Sequence, residues 1–353
     1  MKKINIVLLF LAVIVVVNCT DKFDPEISAP AADIGNINDT VYIEQKPYWS
    51  GFNNPQDMII GKDGFIYVCD TDNDRVVMMD VAGHVLGFTK PIKHPIAIEQ
   101  DHRKDLFVCA KFDTLIDNSN ITYSAVYQIE MYPANHIISE ANIFRLLPKT
   151  SFDYSRPDRE YKAVTVFHDN SIYVARTGSV NSGTSDPDNS IRVFRRDGYK
   201  DGDRLAFIEP IGSGLVSANN ISSLTSFNSR SYDMVISLVG KNSFKVQWLN
   251  YIDSGIEAGK YYSGLGVSSD MMTIGKFGNP EDVCIDNSNN VYIADAEKDS
   301  VYKFNSFGDE LQSFGGSDLF NKPHAVAHFD RTLYVLDTGN DRIIRFILST
   351  EID

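Results

Sequence analysis

The hydrophobic positions of this chain fall into short runs separated by turn residues, not into helical stripes. Asp57–Ile60, Phe65–Cys69 and Arg75–Met79 are such runs, broken by Lys62-Asp63-Gly64 and followed by His84–Phe88 after a glycine turn. Short apolar or alternating runs bounded by Gly, Asn and Asp predict β-strands. The grouping recurs. Six anchor positions, 55, 95, 161, 222, 280 and 323, lie 40, 66, 61, 58 and 43 residues apart. Each is expected to lead an inner strand. About twelve residues later comes a second strand led by Tyr67, Phe107, Tyr173, Met234, Tyr292 or Tyr334. Third strands are predicted at Ala125–Glu130, Ile191–Arg195, Phe244–Leu249, Ser300–Phe304 and Ile343–Ile347. Four strands per unit of some forty residues is the signature of a propeller blade. The prediction is an all-β, six-bladed β-propeller.

The best copies are Tyr67-Val68-Cys69-Asp70-Thr71-Asp72-Asn73-Asp74-Arg75 and Tyr334-Val335-Leu336-Asp337-Thr338-Gly339-Asn340-Asp341-Arg342. With Asn54-Pro55 and Asn279-Pro280-Glu281-Asp282 ahead of such segments, the pattern resembles the NHL-repeat family. Units one, five and six carry the resemblance; in unit four only the register does. After Pro323 the chain has room for three strands, and Thr40–Gln45 is an orphan strand ahead of the first anchor. Unpaired edges invite aggregation, so this N-terminal strand is expected to complete the last blade. Asp70, Asp295 and Asp337 read as bonding turn backbone groups. Cys69 and Cys109 read as buried free thiols.

The segment before residue 41 differs. Lys2 and Lys3 precede a short apolar run, Ile4–Val17, of signal-peptide rather than membrane-spanning length. Val16-Val17-Asn18-Cys19 resembles a bacterial lipobox, with Asn18 where a small residue is usual. The expectation is a lipoprotein signal peptide over residues 1–18, lipidation of Cys19, a flexible tether over 19–40, and the propeller over 41–353. The protein would then be lipid-anchored in the cell envelope, at the outer membrane, as a monomer or part of an envelope complex.

Composition narrows the function. The formal net charge is −14, and loss of residues 1–18 removes two lysines to leave −16. Nucleic-acid binding needs clustered Lys and Arg, so it is not expected. Insertions at Lys111–Thr122, Pro148–Glu160, Thr177–Ser190, Pro210–Ile221 and Gly255–Gly278 should all lie on the face where the inner strands begin, called here the top. Tyr154, Arg156 and Tyr261 lie in them and suit a peptide, protein or glycan ligand. The channel mouth on that face should be lined by residues following the anchors. These include Gln56, Asp57, Lys162, Glu281, Asp282 and His324, an acidic set beside one imidazole. The resemblance also extends to six-bladed lyases and lactonases that use a metal. Asp57, Glu281, Asp282 and His324 would be its ligands here, with calcium the cation best suited to carboxylates. The chain has no nucleophile elbow, phosphate loop or zinc-type cysteine pair. The reading is a binding module without a cofactor, with a metal-dependent lyase or lactonase in the channel as the alternative.

Overall fold

The computed structural model describes residues 41–149, 151–183, 185–195, 203–205, 208–227 and 229–351. The expected signal peptide, Cys19 and the tether lie outside the described residues. No helix among the described residues is long and apolar enough to cross a membrane.

Among the described residues the chain forms six antiparallel four-stranded sheets arranged as a six-bladed β-propeller. The inner strands are Asp57–Ile60, Ala97–Gln100, Glu160–Val166, Ile221–Ser226, Pro280–Ile285 and Pro323–Phe329. The ring closes as expected. Tyr42–Ser50 pairs antiparallel with Arg342–Leu348, from Tyr42 opposite Leu348 to Ser50 opposite Arg342, and forms the outer strand of the last blade.

Second strands such as Ile66–Asp70 and Val291–Asp295 are buried throughout, because each faces a neighbouring blade on both sides. Side chains alternate across a strand, so Ile66 and Val68 pack on Ala325 and Leu336 of blade 6, while Tyr67 and Cys69 pack on Ile98 and Val108 of blade 2. One such apolar cluster lies at every blade interface. Each fully buried large side chain contributes about 1.5–3 kcal/mol, so the core is six wedges around the ring.

The repeated polar residues tie one blade to the next. Asp70 accepts the Asn53 N–H (2.7 Å), the Asn73 side-chain amide and the Arg75 guanidinium; Asp337 does the same with Asn321, Asn340 and Arg342. Asp295 accepts the N–H groups of Gly278 and Asn279. These are the turn bonds the sequence implied. Thr71 and Thr338 then donate to the anchor carbonyls of the following blades, Pro95 and Pro55 (2.6 Å each). Asp74, Asp299 and Asp341 accept the N–H groups of His94, Lys322 and Asn54. All three of those residues adopt positive φ immediately before an anchor proline, a strained backbone that the carboxylate bond holds in place.

Three expectations need correction. In blade 4 the inner hairpin is two residues longer than the twelve-residue rule: Ser223 pairs with Ser237, so Ile221, not Ser222, is the anchor equivalent. Val235, not Met234, then corresponds to Tyr67. Lys111–Thr122 is not a loop; the second and third strands of blade 2 run on as a long hairpin, Leu106–Ile116 with Ser119–Glu130. Gly255–Gly278 is not one top-face connection, because Tyr261–Ser263 inside it is the outer strand of blade 4. Cys69, Cys109 and Cys284 are free thiols, the first two buried.

Candidate functional site

The inner strands of all six blades line a central channel of about 920 Å³. Of the nine ligand-binding candidates, Gln56, Asp57, Lys162, Glu281, Asp282 and His324 line it together. They share it because they follow equivalent anchors, where each inner strand enters the ring.

Asp57 and Asp282 occupy equivalent places in blades 1 and 5. Each reaches across to the backbone of the next blade. Asp57 accepts from Ile98 N and Met58 N (2.7 Å each), and Asp282 from Val326 N (2.9 Å) and the Ser223 hydroxyl (2.6 Å). Ala97, Ala163 and Ala325 hold this position in blades 2, 3 and 6 and cannot make the bond. The two aspartates therefore stitch inner strands together. Burial raises the pKa of both, that of Asp57 well above the usual carboxylate range, and for Asp57 the nearby Asp282 charge adds to the rise.

Nearer the top, burial pushes the Glu281 carboxyl up to about 7, with Lys162 opposing the shift. Its Oε1 accepts from the Asn279 side-chain amide. Burial, then Lys322, lowers the His324 imidazole to about 4. The Gln56 amide donates to Asn54 Oδ1 (2.9 Å). Lys162 pairs with Glu160 at 2.7 Å. Near pH 7 this mouth presents a partly protonated Glu281 carboxyl and a neutral His324 imidazole, beside the Gln56 amide, the hydroxyls of Ser222 and Ser223, and the Lys162–Glu160 pair.

Among the described residues no three His, Cys, Asp or Glu side chains converge closely enough to hold a metal. The Asp57 and Asp282 oxygens already serve backbone and hydroxyl donors. The donor set does not fit the expected cation.

Tyr154, Arg156 and Tyr261 lie away from the channel. Tyr154 packs in an aromatic cluster with Tyr123 (5.2 Å between centroids) and Phe112 (6.5 Å), and Arg145 donates to its hydroxyl (3.1 Å). Arg156 is bound to Asp188 (3.0 Å) and the Asp186 carbonyl. Tyr261 is buried, and its hydroxyl donates to the Tyr232 carbonyl beside the opposite end of the ring. His102 and His168, which no motif singles out, line the lower part of the channel.

No protein-family model and no curated protein matches the chain by sequence. Solved structures share its fold. A gluconolactonase from Xanthomonas campestris is 12% identical over 85% of this chain and 87% of that one, at a TM-score of 0.57. An auxiliary nutrient binding protein from Bacteroides ovatus is 12% identical over 85% and 70%, at 0.58. Virginiamycin B lyase from Staphylococcus aureus is 11% identical over 87% and 100%, at 0.52. At such identities the likeness is one of fold: this chain is a six-bladed β-propeller whose structural neighbours include both enzymes and a binding protein.

Proposed function

We propose that this protein is an exported NHL-type propeller, lipid-anchored in the envelope through Cys19, that captures a neutral, hydroxyl-rich glycan in the upper half of its channel. The observation that carries this reading is the chemistry of the upper mouth. Its polar groups line a cavity within the usual range for small-ligand sites, about 300–1,000 Å³, so a folded protein does not enter. Glu281 and His324 are shifted toward their neutral forms. Neutral groups that both donate and accept match sugar hydroxyls without desolvating a charged ligand. The test is calorimetric titration with a panel of neutral oligosaccharides and unmodified peptides. One oligosaccharide should bind, and Glu281→Ala or Gln56→Ala should weaken it about tenfold, a loss near 1.4 kcal/mol. Binding that ignores both substitutions, or selects only peptides, contradicts the reading.

One observation favours a second reading. A carboxyl titrating near 7 in a channel is poised for general acid–base work. Gluconolactone hydrolysis above the spontaneous rate, abolished by Glu281→Gln, would establish it in place of simple capture.

A further inference from the structure

At the lower end of the channel the six inner hairpins turn over. The residue five places ahead of the Tyr67 equivalent sits on this lip in every blade. It is Lys62 in blade 1, His102 in blade 2, His168 in blade 3 and Arg230 in blade 4, followed by Asn287 and Phe329. Four consecutive blades thus put a basic side chain at one structural position of a strongly acidic protein.

The acids of the same turns are turned away from the lip. Asp63 accepts from Phe65 N and the Tyr67 hydroxyl. Asp101 accepts from Arg103 N and Asp105 N (2.8 and 2.9 Å). Asp169 accepts from Ser171 N and the Tyr232 hydroxyl (2.8 Å each). These carboxylates are spent within the turns or on side chains beside them. At the lip itself Glu99 pairs with Lys62 at 3.3 Å, Asp286 is held by Ser288 N, the Asn290 amide and the Tyr292 hydroxyl, and Asp330 stands in blade 6 beside Arg331. His102 lies close enough to Lys62 and His168 to feel their charge. His102 is pushed below the ordinary histidine value by burial and then by Lys62, with Glu99 opposing and Lys104 and His168 adding to the effect. An anion placed among them relieves that repulsion.

We propose that the lower lip is a second binding site, for a carboxylate-bearing ligand with several anionic groups, met by Lys62, His102, His168 and Arg230 around the rim. Spacing the bases over four blades suits an oligo-anion better than a single small ion. The proposal does not rest on glycan capture at the upper mouth. Its test is calorimetry on the whole protein with tri-galacturonate, citrate and, as the uncharged control, maltotriose. The account expects saturable binding of tri-galacturonate or citrate, at least tenfold weaker in high salt. The Arg230→Gln, His168→Gln double variant should lose a further tenfold or more, while Glu281→Ala leaves this binding unchanged. Both side chains are exposed, and an unchanged circular dichroism spectrum confirms that the double variant folds. Tri-galacturonate alone would identify a chain end as the ligand, and citrate binding a small polycarboxylate. No saturable binding of either anion, or equal affinity in the double variant, overturns the proposal.

Discussion

Single side chains in this ring do two kinds of work. Asp70, Asp295 and Asp337 are structural, since their oxygens are consumed by turn and blade-linking bonds. Glu281 and His324 carry less such work and are held toward neutrality by burial, which has a consequence for stability. The folded Glu281 carboxyl titrates near 7 against about 4.5 when exposed, so the folded state keeps a proton that the unfolded chain releases between those values. Stability from this group therefore falls as pH rises from about 4.5 to 7. His324 acts oppositely: folded near 4 and unfolded near 6.5, it adds stability as pH rises through that window. The two effects largely cancel in the wild-type protein and separate in variants. Thermal melts should show Glu281→Gln gaining on wild type between pH 5 and pH 8 by about 2–4 °C, for roughly 1 kcal/mol after allowance for solvent screening. His324→Gln should gain in the opposite direction. A Glu281→Gln difference that does not move with pH contradicts the burial assigned to this carboxyl.

At the scale of elements, the insertions of blades 2 and 3 brace one another. Arg159, almost fully buried, meets Asp188 (2.6 Å), Asp186 (2.6 Å) and Asp153 (3.1 Å). Arg176 joins at Asp186 (2.6 Å) and Arg156 at Asp188. The Thr177–Ser190 segment thus supplies the counter-charges for cations rooted in neighbouring elements. Removing one partner from such a network leaves a buried charge uncompensated. Asp188→Ala is expected to cost about 3–5 kcal/mol in chemical denaturation, and a loss below about 1 kcal/mol would show the network to be incidental. Tyr154 and Arg156 were legible in the sequence as an aromatic and a cation on a long insertion. The partners that absorb them, Tyr123, Arg145 and Asp188, lie up to dozens of residues away, and no local pattern pairs them. The same limit applies to Tyr261, whose place on an outer strand depended on a three-residue run too short to distinguish from loop.

For the whole molecule, blade number, strand count and ring closure were readable because a two-residue side-chain period and a recurring Pro, Tyr and Asp-Thr grammar each reflect a repeated contact. Blade 4 was the weak point: its inner hairpin carries two extra residues, so a fixed spacing from anchor to second strand places both strands one residue out. The channel's upper lining was legible for the same reason the blades were, since equivalent residues following equivalent anchors converge by symmetry. Its lower lip is not legible in the sequence, because a basic residue in a turn is ordinary in one blade and becomes meaningful only when four are superimposed. A metal centre was implied by the resemblance to metal-using lyases and lactonases, and the commitment of Asp57 and Asp282 to backbone and hydroxyl donors appears only in three dimensions. The proposed function places its ligand in the channel and not on the top-face insertions. Hydrogen–deuterium exchange with and without the tightest-binding neutral oligosaccharide tests that most directly. The account predicts protection at Asp57–Ile60, Glu160–Val166, Pro280–Ile285 and Pro323–Phe329, and protection confined to residues 111–122, 148–160 and 177–190 would contradict it.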